Sequence, residues 1–437
     1  MAQEFGFDTL KVRGGYNSAE HNYAVSVPIY QTAGFDFGSV QRGLGLFSAT
    51  ELGYLYTRVG NPTVAALEQR VALLEGGSGA IALASGMAAV TFTLFNLAEG
   101  GGRILTTAKL YGGTADAFNK VFPSFGIGID YPEDSEDPAS YERAINENTR
   151  AIYVESISNP NATLLDIEAL ADVAHRHGIP LVVDNTFATP YLFRPIEHGA
   201  DVVIHSATKF LSGHGNVIAG VVVEGGKFNY ANGKFPQFTQ PHFTLRLADG
   251  VERSFLERFP ELPFTSRIRL THLNYIGAAL SPFDAYLVLL GLETLSERLE
   301  KQRANAERLI RYLENHPHVA WVSHPAAKGS PYQALAQRYF PRGTGSIFTF
   351  GFGGTEEQGE RFLDAIKLLS FHANVGDART LIINSPKTTH GELTPDEQRR
   401  AGIAPEALRI STGLEDADDL IADLEQAFRQ AFEEEEK

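Results

Sequence analysis

RAIYVESISNPNATLLDIEALADVAHRHGIPLVVDN (150–185) contains the alternation on which the fold turns. It opens on an apolar run rich in β-branched and aromatic residues, RAIYVES (150–156), and closes on another, PLVVDN (180–185), both of strand length. Between them DIEALADVAHRHG (166–178) follows helix grammar: acidic residues begin it, Leu170, Val173 and Ala174 share a face, and basic residues and a Gly end it. Strand, crossover helix and strand in that order belong to a parallel sheet. The same alternation extends in both directions, with further strand candidates at AIALA (80–84), RILTT (103–107), DVVIHS (201–206) and VIAGVVVE (217–224) and helical segments between them. From about residue 60 to 225 the chain reads as an α/β unit on a mainly parallel sheet.

Outside that unit the pattern changes. The first sixty residues are rich in Gly, Tyr, Ser and Thr without a sustained period, and residues 1–61 read as an extended arm that packs against something else. LSPFDAYLVLLGLETLSERLEKQRANAERLIRYLENHP (280–317) has long helical periodicity after a Ser-Pro start, as expected of a helix connecting two domains. The boundary is placed just before it, giving one domain at 62–275 and a second at 276–437. GSIFTFGF (345–352) and the helical DADDLIADLEQAFRQAF (416–432) make the second a smaller α/β unit. Residues 226–275 are aromatic, basic and interrupted by prolines, and resist assignment.

Composition narrows the function classes. A chain of 437 residues with 43% hydrophobic residues, 21% charged residues and 29 Phe is globular and long enough for more than one core. No apolar run reaches the roughly eighteen residues of a membrane span, and MAQEFGFDTLKVRGGY (1–16) lacks the apolar stretch of a secretory signal. The expectation is a soluble, cytoplasmic protein. The absence of Cys removes disulfides, thiolate metal sites and thiol nucleophiles. A net charge of -16 opposes binding to nucleic acid or anionic membrane, and the closing EEEEK (433–437) reads as a solvated tail. Small molecules are the expected partners.

The strongest local chemical signal is DVVIHSATKFLSGHG (201–215), an apolar strand ending in a small-residue loop that presents Lys209 between hydroxyls. A free lysine titrates near about 10.4 and is protonated at neutral pH, so a lysine that reacts with an aldehyde cofactor needs a site favouring the neutral amine or the imine. Ser206 and Thr208 are placed to bind a phosphate beside it. Asp184, at the end of PLVVD, has the chemistry to keep a pyridine nitrogen protonated, or to cap a turn with Asn185 and Thr186. ALASGMAAVTFTLF (82–95) reads as strand, turn and helix, and the amides of Ser85, Gly86 and Met87 at its helix start suit a phosphate. His175, His177, His205 and His214 offer a rival metal-hydrolase reading, but the first two, at His-x-His spacing on a helix, splay about 200° apart and lack a third ligand at zinc-helix spacing. No metal is expected.

These residues carry a resemblance. YTRVGNPT (56–63), SGMAA (85–89), LYGGT (110–114), SISNP (156–160), VVDNTFATP (182–190), SATKFLSGHG (206–215) and RISTGLED (409–416) occur in the order of the Cys/Met-metabolism PLP-dependent enzymes, and the chain resembles that cystathionine γ-synthase-like group over nearly its whole length. The resemblance implies fold type I of the PLP-dependent transferases, an aspartate-aminotransferase-like α/β fold, with pyridoxal 5'-phosphate as cofactor. It implies that Lys209 holds the cofactor as a Schiff base, Asp184 pairs with the ring nitrogen, and Ser85, Gly86, Met87, Ser206 and Thr208 hold the phosphate, with Thr186 also at the cofactor. Tyr111 would stack on the ring, a flat apolar face against a flat heterocycle. Tyr56 and Arg58 would reach the phosphate of a neighbouring subunit, Tyr56 also meeting substrate, so that the enzyme is an obligate homo-oligomer, a tetramer built as a dimer of dimers. Arg409 would grip the substrate α-carboxylate as a bidentate fork, with Asn159 assisting near the cofactor's phenolic oxygen. Asn374 lies where relatives often have a serine that steadies the lysine or the substrate.

Within the family, the NYIGAALSPFDAYLVLLGLETL stretch (274–295), the NVGDA run (374–378) and the YGGT turn (111–114) are most similar to O-acetylhomoserine sulfhydrylases. That implies exchange of acetate for sulfide at Cγ of O-acetyl-L-homoserine, giving homocysteine for methionine biosynthesis. Cystathionine γ-synthase, γ-lyase, O-succinylhomoserine sulfhydrylase and a non-catalytic PLP scaffold are the alternatives. Methionine γ-lyases usually have a cysteine where this chain has Gly113, and INSPKTTHG (383–391) departs from the usual HPAS before Thr-Thr-His. The departure implies that Asn384, Ser385 and Lys387 alter the polarity of a loop near the substrate.

Overall fold

Each apolar run read as a strand between 80 and 224 forms one in the computed structural model, which describes residues 5–48, 50–51, 53–246 and 249–433. The acidic tail from residue 434 lies outside the described residues. Among the described residues seven strands make the first sheet: β1 (Gly79–Leu83), β2 (Arg103–Thr106), β3 (Gly128–Asp130), β4 (Thr149–Glu155), β5 (Leu181–Asp184), β6 (Val202–His205) and β7 (Gly220–Glu224). Their order is β1-β7-β6-β5-β4-β2-β3. Pairings from β3 through β6 are parallel, and β7 runs antiparallel to both β1 and β6. The short β3 has no apolar run of its own, which is why the sequence pattern passes over it.

Side chains alternate between the two faces of this sheet. Val182, Val202, Ile204 and Val222 enter one core with the helix Gly86–Ala98, while Val183, Val203, Val221 and Val223 enter another with the helices Pro62–Glu75 and Ile167–Arg176. Asp166 caps the last of these by accepting the Ala169 N–H. In register, Glu155 at the end of β4 stands opposite Asp184 at the end of β5. Both strands therefore deliver a carboxylate to the carboxyl edge of the sheet, where α/β folds bind ligands.

Residues 226–275 take the form of short helices and a hairpin, β8 (His242–Arg246) with β9 (Glu252–Arg253). Their aromatic character is explained by packing: Phe235, Phe238, Phe255 and Phe264 are buried in the core beneath the Gly86–Ala98 face, and Tyr230 lies 4.4 Å from Phe238 between ring centres. The second sheet, in the order β10-β11-β14-β13-β12, comprises β10 (Val319–Ser323), β11 (Ile347–Phe352), β12 (Ser370–Phe371), β13 (Leu381–Asn384) and β14 (Ala407–Ser411). The helix Ala417–Phe432 covers one face of it through Leu420, Leu424 and Phe428.

Two readings need correction. The first sixty residues are not extended throughout, since Phe7–Arg13 and Val40–Phe47 are helices. Each has about two turns, too few to give a sustained period. The former docks on its own chain, where buried Lys11 donates to Glu297 at 2.6 Å. The long periodic stretch after 280 is two helices, Pro282–Leu292 and Leu295–Leu313. Leu292, Leu295 and Leu299 pack into the core that holds Val183 and Val203, and Ala306, Leu309 and Leu313 into the core of the second sheet with Leu420 and Phe428, so the longer helix contributes to both.

Candidate active site

Glu155 and Asp184 form the floor of a cavity of about 270 Å³ at the carboxyl edge of the first sheet. Asp184 Oδ1 accepts the Thr186 N–H at 3.0 Å and Oδ2 the Tyr153 hydroxyl at 3.3 Å. Glu155 Oε1 and Oε2 accept the N–H groups of Tyr111 and Asn159 at 2.7 and 2.9 Å. Burial raises both carboxyls from their ordinary values, Glu155 well above, and for Glu155 the Asp184 charge adds to the effect. Two such groups side by side favour a cation above them.

The opposite corner is built for an anion. Gly86 starts a helix of 13 residues whose N-cap, Ser85, uses its hydroxyl on Ala88 N–H, so the Gly86 and Met87 amides are left as donors at the positive end of the helix dipole. Ser206, on the loop after β6, closes this corner: a Cβ on Gly86 would sit 2.6 Å from Ser206 Cβ and 2.7 Å from its Oγ. The Thr208 hydroxyl is engaged with the backbone of Ala219, donating at 3.2 Å and accepting at 3.0 Å, so it must change partner to serve a phosphate. Because the Gly86 position is filled by any side chain, Gly86→Ala is expected to weaken pyridoxal phosphate binding about tenfold or more. Titration of the cofactor-free protein measures it, and an unchanged affinity would place the anion elsewhere.

Between the corners lie a nucleophile and a cation. Lys209 Nζ donates to Asn374 Oδ1 at 2.6 Å, and burial followed by the Arg409 charge pulls its amine from 10.5 to about 8. Arg409, in the middle of β14, donates to Asn159 Oδ1 at 2.8 Å and to the Asn374 carbonyl at 3.2 Å. It is buried, no carboxylate pairs with it among the described residues, and its Nε has no partner. Burial pulls its guanidinium down to about 10. An unpaired buried guanidinium asks for an anionic ligand, and a carboxylate fits its fork.

Of the residues singled out in the sequence, Ser85, Gly86, Met87, Tyr111, Asn159, Asp184, Thr186, Ser206, Thr208, Lys209, Asn374 and Arg409 all line this cavity. Tyr56 and Arg58 do not. They stack on one another instead, 5.0 Å from guanidinium to ring, and Tyr56 is exposed. Glu155 was missed. Its signal was a charged residue ending an otherwise apolar strand, as Asp184 does, in RAIYVES.

The loop at 383–391 also differs from expectation. Lys387 is exposed and pairs with Glu356 and Glu360 on the outside of the second domain, Asn384 accepts the Lys387 N–H, and Ser385 is buried. Only Thr389 of that loop lines the cavity. Its unusual polarity is directed at the helix Glu356–Ala365, away from the substrate side. The four histidines of the metal reading have separate partners: His175 meets Asp201, His177 meets Glu142, His205 meets Glu75, and His214 the Ser212 carbonyl. No group of three or more acidic or histidine ligands that could hold a metal ion occurs among the described residues.

A paired-carboxylate floor, a helix-start cradle closed on Gly86, a lowered lysine and an orphaned arginine fit pyridoxal phosphate and an amino-acid carboxylate. The family model described as Cys/Met metabolism PLP-dependent enzyme matches residues 8–429. The chain belongs to that family. It is a pyridoxal-phosphate-dependent enzyme of fold type I. It is similar to sulfhydrylase FUB7 of Gibberella moniliformis, 44% identical over 98% of each chain, and to O-acetyl-L-homoserine sulfhydrylase 1 of Thermus thermophilus, 43% identical over 96% of this chain and 99% of the other. Among solved structures it is similar to a protein assigned as an O-acetylhomoserine (thiol)-lyase from Campylobacter jejuni, with a TM-score of 0.93 and 37% identity over 97% of this chain and 100% of that one. That structure contains N'-pyridoxyl-lysine-5'-monophosphate.

Proposed function

We propose that the enzyme is an O-acetyl-L-homoserine sulfhydrylase, exchanging the γ-acetoxy group of O-acetyl-L-homoserine for sulfide to give L-homocysteine and acetate in methionine biosynthesis. The observation that carries the amino-acid half of this reading is Arg409, a buried guanidinium without a carboxylate partner in the cavity that holds Lys209. The choice of donor and nucleophile is supported by the names of the similar proteins.

Bound pyridoxal phosphate supplies an electron-withdrawing ring that stabilises negative charge at the substrate Cα. Around it the chain's residues divide the work. The Gly86 and Met87 amides and the Ser206 hydroxyl would hold the phosphate, Asp184 would serve the ring nitrogen as counter-ion, and Tyr111 would cover the ring. Arg409 fixes the substrate carboxylate with Asn159 steadying its guanidinium. The neutral Nζ of Lys209 takes the Cα proton and later returns a proton, a role that its lowered pKa permits near neutral pH. Gly113 supports the sulfhydrylase over the lyase reading: a Cβ there would lie 2.7 Å from Tyr111 Cε1, so a cysteine at this position would have to shift the Tyr111 ring.

The assembly belongs to the same proposal. A cytoplasmic homotetramer, with Tyr56 and Arg58 completing a neighbouring subunit's phosphate site, accounts for an exposed tyrosine and for Val40, Leu44 and Phe47 exposed on one helix of the same segment. The deciding experiment is product identification from purified, PLP-loaded enzyme given O-acetyl-L-homoserine with sulfide or cysteine, and an O-succinyl control. Homocysteine chiefly from the acetyl ester and sulfide is expected. Cystathionine, or 2-oxobutyrate without any nucleophile, would overturn the sulfhydrylase reading and leave the family unchanged.

A further inference from the structure

Glu155 is a buried carboxylate to which the chemistry above gives no task. It ends β4 in register with Asp184, on the same face of the sheet. Its two oxygens have different partners, the Tyr111 N–H on one side and the Asn159 N–H on the other, at 2.7 and 2.9 Å. From Asn159 the hydrogen bonds continue to Arg409, from Arg409 to the Asn374 carbonyl, and from the Asn374 side chain to Lys209. The ring-facing tyrosine, the carboxylate-binding arginine and the lysine amine are thus joined in one chain of bonds, and Glu155 is the member that ties Tyr111 into it.

A carboxyl group has an acceptor on each of its two oxygens and can hold both amides. A glutamine has one acceptor oxygen, and its NH2 would face the second N–H donor to donor. An anion in register with Asp184 opposes folding of the cofactor-free chain. The two hydrogen bonds therefore serve the site rather than the stability of the fold.

We propose that Glu155 is a positioning residue, whose carboxylate fixes the backbones of Tyr111 and Asn159 together and so sets the ring cover and the Arg409 carboxylate grip in one register. The substrate part of this inference rests on the proposed reaction; the cofactor part does not. The test compares E155Q and E155D with the wild type in the cofactor-free and PLP-loaded states. Cofactor-free E155Q is expected to melt at or above the wild-type temperature, yet to bind pyridoxal phosphate about tenfold more weakly, as loss of one buried acceptor implies. The loaded variant is expected to show a KM for O-acetyl-L-homoserine raised about tenfold, with the KM for sulfide within about twofold of wild type. E155D keeps the charge but is a methylene short, so it should fall between the two.

Unchanged cofactor affinity and unchanged KM in E155Q would overturn the proposal. So would a lowered melting temperature with both KM values rising together, the mark of a structural role. Should E155Q fail to fold, E155D decides by the same readouts. Should the wild type itself not turn over O-acetyl-L-homoserine, the reaction is wrong, while the cofactor affinities still decide the role of Glu155.

Discussion

Lys209→Ala is expected to lower kcat by at least about 10³-fold and to leave the fold intact. The side chain opens into the cavity from the loop after β6, and its one polar contact among the described residues is Asn374 Oδ1. Truncating it removes no member of the apolar cores. What it does remove is an amine pulled to about 8 by burial and by Arg409. At pH 7 such an amine is neutral in about one molecule in ten, against fewer than about one in a thousand for an ordinary lysine. Alanine can neither attach the cofactor nor carry a proton. Two measurements check this. Steady-state turnover of O-acetyl-L-homoserine with sulfide gives the loss of rate. Borohydride reduction followed by peptide mass mapping should find the pyridoxyl group on Lys209 in wild type and on no lysine in the variant. The sign of the pH dependence follows from the same group: the neutral amine is the nucleophile, so the rate at which cofactor-free wild type captures pyridoxal phosphate should climb with pH and level off above about 8. Wild-type turnover by the variant would move the attachment to another residue.

The part of this architecture that was legible beforehand is the part governed by local rules. The strand, helix and strand of 150–185 could be read because β4 and β5 are apolar on both faces and the helix between them has an amphipathic face and an acidic cap. Lys209, Asp184 and the Ser85–Met87 turn were legible for a related reason. Asp184 stands at a strand end, the Ser85–Met87 turn at a helix start and Lys209 in the loop after β6, each where a polar residue interrupts an apolar pattern. The rest depends on what meets what. That Glu155 lies beside Asp184 follows from the register of two strands, and that Arg409 reaches Asn159 follows from how the second sheet faces the first. Lys387 illustrates the converse: near the substrate loop in sequence, it turns outward because Glu356 and Glu360 lie on the neighbouring helix. Helices such as Phe7–Arg13 are fixed by docking, here through Lys11 on Glu297, and a segment of that length has no period to read.

Asp184→Asn should separate function from stability. Activity is expected to fall by about 10²-fold to 10³-fold, because an amide cannot act as counter-ion to a protonated ring nitrogen, and electrostatic partners of developing charge are worth that much. The stability of the cofactor-free protein should move the other way. Burial raises the folded-state pKa of Asp184 above its unfolded value. A raised carboxyl pKa means that the fold binds the proton more tightly than the unfolded chain does. Its contribution to stability is then complete below the ordinary carboxylate range and is lost as pH climbs through the raised value. Near neutral pH the ionised Asp184 therefore opposes folding, the more so because Glu155 stands in register with it. Asparagine has no charge to bury, keeps an oxygen for the Thr186 N–H, and can donate toward the Tyr153 hydroxyl, where the native carboxylate accepts. Cofactor-free D184N is expected to melt a few degrees above wild type at about pH 7 to 8 and level with it at about pH 4. The margin is small because the carboxylate is still reached by water through the cavity. Addition of pyridoxal phosphate should reverse the order, since the cation it brings stabilises only the native carboxylate. Thermal melts with and without cofactor across that pH range decide the matter. A cofactor-free variant less stable than wild type at neutral pH would mean that Asp184 supports the fold by its hydrogen bonds more than its charge opposes it, and the carboxylate would lose its standing as a site kept strained for the cofactor.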